Sequence, residues 1–312
     1  MLRGKIYQPD YTPHFSGHET FPLRYGWLKK AVDAVLAPDI PSDIFFSDEA
    51  IAHFGVGRNM VNSIKFWALA TGVLVQENLR SEFKLGPLGH ELFRPEGVDP
   101  YMEHPSTLWA LHWNLCSQPK RTTWHWVFSY LSHPVFEREQ VVERLLAVAL
   151  ERGWSRVSKG TVKRDVECFL RTYNAKPASG DDALESPLVE LGLVQSVGRR
   201  DGFRLNIGPK PSLDDGVFAY AVGSFWRATS DANSMSFESL AYDPGSPGRV
   251  FRLEEDDLIE RLAGLSETTD GAMAWSETAG LKQLTRRGEL EERDELDFLR
   301  MDYPPAEARS AA

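Results

Sequence analysis

The segment HFSGHETFPLRYGWLKK (14–30) concentrates side chains suited to catalysis. His14, His18 and Glu19 lie ahead of Arg24, Lys29 and Lys30. An imidazole and a carboxylate can activate water, and a guanidinium can stabilise the pentacoordinate phosphorus of phosphodiester cleavage. His18, Glu19 and Arg24 therefore form the candidate catalytic group. Mg2+ or Mn2+ would serve such a site, but no recognised ligand spacing is present, so no metal ligand is assigned. The same residues also fit a loop in which His18 and Glu19 bond backbone amides and cap the next helix. On residue types alone, that second reading is the stronger.

Another set has the chemistry of nucleic-acid contact. Arg58, Asn59, Asn62 and Lys65 place a guanidinium, two amides and an ammonium at the start of one expected helix. Such groups meet phosphates and base edges when a helix enters a groove. Arg80 and Lys84 on the expected hairpin would reach the flanking backbone, and Lys29 and Lys30 are further DNA-binding candidates. Arg156, Lys159, Lys163 and Arg164 repeat the arrangement around a later helix start, where backbone N–H groups also favour anions. The alternative is that both sets are ordinary solvated faces.

The elements that must position these groups follow from apolar spacing and punctuation. Thr20 and Pro22 predict a helix through Leu23, Trp27, Leu28, Val32 and Leu36, ending before Pro38. A short helix from Asp48 to Phe54, capped by Ser47, a turn at 55–57 and a helix from Asn59 to about Thr71 come next. Val73–Val75 and Phe83–Leu85 then flank a polar tip at Asn78, Arg80 and Ser81. Helix, turn, helix and hairpin is the order of a winged helix, although a plain helical hairpin against a small ribbon shares it. In this setting Glu82-Phe83-Lys84 reads as part of the wing. Tyr101–Tyr130, rich in tryptophan and histidine, reads as two core helices broken at Gln118–Thr122, with His112 and His125 as satisfied core residues. Helices over Glu137–Arg152 and Thr161–Tyr173, the latter capped by Ser158, precede a polar loop at 178–186. Leu188–Val197 and Gly202–Ile207 then read as a helix end and strands. Further on, a helix from Leu213 to Arg227, a polar loop at 230–236, a turn into a strand at 246–251, an acidic helix from Glu254 to Leu265 and a ribbon over Trp275–Leu284 are expected. The tail after Tyr303 is expected to fray. The fold class is mainly α with small β-hairpins: tandem winged-helix-like units and an acidic helical C-terminal part. Its expected divisions are 1–100, 101–210 and 211–312.

Composition narrows the function. The 312 residues include 42% hydrophobic and 26% charged side chains, which excludes wholesale disorder. No apolar run reaches the length of a membrane span, and the N-terminal residues lack a signal-peptide apolar region, so a cytoplasmic protein is expected. The net charge of −10 is unevenly spread. Residues 1–200 carry 23 Lys+Arg against 23 Asp+Glu, and residues 201–312 carry 12 against 22. Global acidity thus leaves room for a nucleic-acid face in the N-terminal part and suggests protein contacts for the last third. Cys116 and Cys168 read as buried thiols. GVG at 55–57 lacks a preceding strand, GPLG at 86–89 lacks the P-loop lysine, and no CxxC or HExxH occurs. A Rossmann dehydrogenase, a nucleotide-hydrolysing motor and a zinc protease are therefore disfavoured.

FSGHETFPLRYGWLKK (15–30), FGVGRNMVNSIKFWALATGVL (54–74), PSTLWALHWNLC (105–116), TTWHWVF (122–128), KRDVECFLRTY (163–173) and SPGRVFRL (246–253) resemble, in order over 14–303, one bacterial family. Long labelled a domain of unknown function, it lies in gene clusters that install phosphorothioate linkages in DNA. The resemblance implies a DNA-nicking role beside sulfurtransferase-like and ATPase subunits. Two readings follow: a DNA-nicking component bound to duplex DNA, or a non-catalytic DNA-binding adaptor that recruits those subunits. A protein-interaction scaffold is the third class. A homodimer is compatible with all three.

Overall fold

The computed structural model describes residues 4–41, 43–76, 82–174, 186–198, 201–278 and 280–305. Its first helix, α1 (Trp27–Leu36), begins at Gly26 rather than Thr20. Ser16, Glu19 and Thr20 have φ of 67°, 47° and 67°, so none of them can lie inside a right-handed helix, and residues 21–24 are not helical either. Residues 14–24 therefore form a strap ahead of α1, which corrects the expected helix start.

The next elements follow the sequence closely. They are α2 (Glu49–Phe54), α3 (Arg58–Ala70), β1 (Leu74–Gln76) and β2 (Phe83–Leu85). Asp48 rather than Ser47 is the N-cap of α2, and Ser47 Oγ accepts the Glu49 N–H at 3.0 Å from one residue further out. The expected hairpin tip at Asn78, Arg80 and Ser81 lies outside the described residues. A short helix, α4 (Pro87–Leu92), follows β2 and was not foreseen.

The tryptophan-rich segment forms α5 (Pro105–Cys116) and α6 (Thr122–Tyr130). Both are buried on nearly every side, and Trp109, Trp113 and Trp124 are among the largest fully buried side chains. His112 Nε2–H donates to Val250 O at 2.9 Å and Nδ1 accepts from Tyr173 OH at 2.7 Å. His125 Nδ1 bonds Cys116 O at 2.8 Å. Burial pushes both histidines down to about 4.

Two further strand–helix–hairpin units complete the chain. β3 (Val135–Glu137), α7 (Arg138–Glu151), α8 (Lys159–Tyr173), β4 (Val194–Val197) and β5 (Gly202–Leu205) make the earlier one, with antiparallel sheet order β3-β5-β4. α9 (Asp215–Thr229), β6 (Ser234–Ser236), α10 (Phe237–Tyr242), α11 (Pro247–Phe251), α12 (Glu255–Thr268), β7 (Met273–Thr278) and β8 (Leu281–Arg286) make the later one, ordered β6-β8-β7. In each, a short strand pairs with the second strand of the hairpin. Residues 234–236 are thus a strand instead of loop. Residues 247–251 are helix instead of strand, because Ser246 Oγ caps the Arg249 N–H and Pro247 suits the first turn. α13 (Glu292–Arg300), also unforeseen, packs along α9. The fold is mixed α/β, about half helical with small antiparallel sheets, where mainly helix with simple hairpins was expected.

Candidate nucleic-acid interface

His18 is 1% exposed. Its Nδ1 accepts the Thr20 N–H at 3.0 Å, so Nε2 carries the proton and donates to Asp165 Oδ1 at 2.9 Å. Asp165, on α8, also accepts the Ser16 N–H and the Thr123 hydroxyl. Both carboxylate oxygens of a nearly inaccessible acid are therefore satisfied, as burial demands. Sequence reasoning missed Asp165. Its signal was an acid inside the apolar stripe Val162, Val166, Phe169 of α8, a position tolerable only with buried partners.

The strap is fastened to α3 as firmly as to α8. Ser63 Oγ donates to His18 O, and Trp67 Nε1 donates to Phe21 O at 3.1 Å. Cys168 Sγ meets that same carbonyl at 3.3 Å, and Arg171 Nη1 donates to Thr20 O at 3.1 Å. Gly17, at φ 95°, lies against the Phe66 ring. The segment thus bridges the two helices that sequence analysis assigned to DNA.

The strap's left-handed turn leaves Glu19 exposed while His18 is buried. Lys65 is near enough to Glu19 for the carboxylate to favour its charged form. Burial and then Arg58 act the other way and leave the Lys65 ammonium below the usual lysine range. Arg24 lies against the Phe21 and Trp27 rings, 5.4 and 5.6 Å from their centroids. Arg121, unnoticed in the sequence, stacks 4.6 Å from the Phe66 centroid. Burial lowers its pKa and Asp165 opposes the shift.

On α3, Asn59 is exposed, Asn62 half-buried, and Arg58 Nη2 donates to Ser47 O and Asp48 Oδ1 at 2.7 and 2.9 Å. Lys65 Nζ lies 4.1 Å above the Phe46 ring. Lys84 is exposed on β2, and Arg80 lies outside the described residues. On α8, Lys163 and Arg164 are exposed, and Lys159 pairs with Glu139 of α7. Lys29 pairs with Asp33, while Lys30 Nζ donates to Phe54 O at 3.1 Å, at the C-terminus of α2. The strap gathers His18, Glu19, α3 and α8. Lys29 and Lys30 are engaged instead within and beside α1.

A family model described as protein of unknown function (DUF4007) matches residues 15–303. The chain belongs to this family. The DUF4007 chain is similar to two crystal structures of SspB, one of them described as magnesium ion-bound. Each aligns at TM-score 0.83 and 28% identity over 96% of this chain and 94% of the SspB chain. No curated protein matches the sequence. The matched span of the DUF4007 model takes in the strap, α3, α5, α6, α8 and α11. No described helix is long and apolar enough to cross a membrane. Among the described residues, no three His, Cys, Asp or Glu side chains gather as a metal site.

Proposed function

We propose that this protein binds duplex DNA and opens one strand as the SspB-like component of a bacterial DNA phosphorothioation system. The observation that carries the reading is the strap, which presents the exposed Glu19 beside Lys65 while tying α3 to α8. In this reading the strand–helix–hairpin units are winged-helix-like. Arg58, Asn59, Asn62, Lys65 and Lys84 contact one stretch of duplex, with Arg80, Lys29 and Lys30 beside it, and Lys159, Lys163 and Arg164 contact another. Glu19 accepts the proton of a water that attacks the phosphorus as the bond to one deoxyribose oxygen breaks, that oxygen takes a proton from solvent, and Arg24 and Lys65 offset charge on the phosphorus. His18 acts as a positioning residue, holding the turn that presents Glu19.

One SspB structure is magnesium ion-bound. Among the described residues of this chain no three His, Cys, Asp or Glu side chains gather, but Mg2+ held by one or two carboxylates and waters needs no such set. Sulfurtransferase-like and ATPase subunits would dock on the acidic region 211–312, which suits protein contact better than DNA. The assembly would be cytoplasmic.

The adaptor reading keeps a place because both His18 nitrogens are hydrogen-bonded, which leaves Glu19 without a neighbouring imidazole base. Relaxation of supercoiled plasmid by wild type and Glu19→Gln, with and without Mg2+ or Mn2+, separates the readings. Open-circle product that disappears in the variant is expected. Persistence in the variant moves the site elsewhere. No product with a salt-dependent gel shift leaves the adaptor, and the absence of any shift removes DNA binding.

A further inference from the structure

The three strand–helix–hairpin units differ at one corresponding place. In the two later units the short strand has a buried middle residue, Phe136 (3% exposed) or Met235 (6%). Its last residue, Glu137 or Ser236, serves as the N-cap of the following helix. In the first unit a single 3-10 turn, Ile44–Phe46, takes the strand's place, and Phe45 (0% exposed) is its buried middle residue. The polar cap position is instead Phe46, which is 50% exposed. Ser47 and Asp48 take over the start of α2. Since the other two units manage with a polar residue there, the architecture itself does not require the exposed ring.

Its surroundings are those of a nucleic-acid contact. Lys65 Nζ lies 4.1 Å above the ring, and Phe83 of β2 stacks on it at 5.9 Å and 26°. Arg58 is hydrogen-bonded to the carbonyl of the adjacent Ser47. The ring is thus held by Phe83 and the Lys65 ammonium, the Arg58 guanidinium is anchored on the neighbouring Ser47, and half of the Phe46 residue stays exposed. Bases that leave the duplex stack expose a flat apolar face, and aromatic rings beside cations bind it with little regard to sequence.

We infer that Phe46, with Lys65 on its ring and Arg58 anchored on the adjacent Ser47, is a stacking contact for a nucleobase displaced from the duplex stack. The inference rests on the DNA-binding reading above and deepens it by naming the substrate class: duplex with a locally opened step, such as a single-nucleotide gap. Phe46 would hold the strand ends at the opening while α3 stays on the intact duplex beside it.

The test measures fluorescence anisotropy of intact and single-nucleotide-gapped duplexes of one sequence with wild type, Phe46→Ala and Phe46→Trp. Wild type is expected to prefer the gapped duplex about tenfold, the scale of one base–aromatic stack. Phe46→Ala should erase that preference while keeping intact-duplex affinity and salt slope, and Phe46→Trp should restore it. A merely structural ring would lower both affinities together in Phe46→Ala, which overturns the inference. Equal wild-type affinity for the two duplexes overturns it while leaving DNA binding intact. No affinity for either removes both readings.

Discussion

His18 Nε2 and Asp165 Oδ1 lie 2.9 Å apart although 147 residues separate them in the chain. Each is almost wholly buried, and together they join the strap to α8. The same strap also bonds α8 through Arg171 Nη1 to Thr20 O and Cys168 Sγ to Phe21 O, but only the His18–Asp165 pair is buried on both sides.

Removing either partner leaves a buried polar group unpaired. His18→Ala should lower unfolding stability by about 1–3 kcal/mol, and Asp165→Asn by a comparable amount. Urea unfolding of the single and double variants would show a double-mutant loss smaller than the sum of the singles. Additive losses would mean the two side chains act independently. Glu19→Gln, on the exposed side of the same turn, should leave stability within about 0.5 kcal/mol of wild type.

Two glycines should respond with opposite signs. Gly17 has φ 95°, and a Cβ there would sit 3.0 Å from Phe66 Cδ2, so Gly17→Ala should destabilise by more than about 1 kcal/mol. Gly264 lies in α12, and a Cβ there meets nothing within 4 Å. Gly264→Ala should stabilise by about 0.5–1 kcal/mol through helix propensity. Denaturant midpoints at constant slope would report both.

Phosphate contacts are read from salt dependence. Arg58→Ala/Lys65→Ala should weaken duplex binding across sequences and flatten the log K against log salt slope by about 2. Lys29 and Lys30 already meet Asp33 and the Phe54 carbonyl. Their double alanine variant should change the slope less. An unchanged slope in the Arg58/Lys65 variant would remove α3 from the interface.

Acid should unfold the protein through its core histidines. His112 and His125 are held at about 4 by burial, against 6.5 for the unfolded side chain. Between those values the unfolded chain binds more protons than the folded one. Stability should therefore fall as pH drops from 6.5 toward 4, by up to about 1.4 kcal/mol per pH unit for each histidine. Urea midpoints across pH 4–7 should show this, and His125→Gln should reduce the slope by one proton's worth.

Local signals in the sequence located most helices and hairpins. Ser47, Ser158 and the apolar spacing of α3 and α8 act through neighbours a few residues away, so their consequences can be read in order along the chain. The tryptophan-rich helices were legible as core for the same reason, since a helix apolar all round has only one place to go. The strap was misread because Thr20 and Pro22 are good helix starters locally, and only distant partners hold Ser16, Glu19 and Thr20 in the left-handed region. The third strands, β3 and β6, were missed because three residues carry too little periodicity to declare a strand without its partner.

The sequence by itself determined which residues could do chemistry: a histidine–glutamate pair in the strap and two cationic helix starts. Tertiary structure alone decided their relation. It buried His18 against Asp165, turned Glu19 outward, and tied α3 and α8 to one short segment. Side-chain type follows from the chain's order, but burial and pairing depend on contacts between residues far apart in it. Those contacts exist only once the apolar faces have packed.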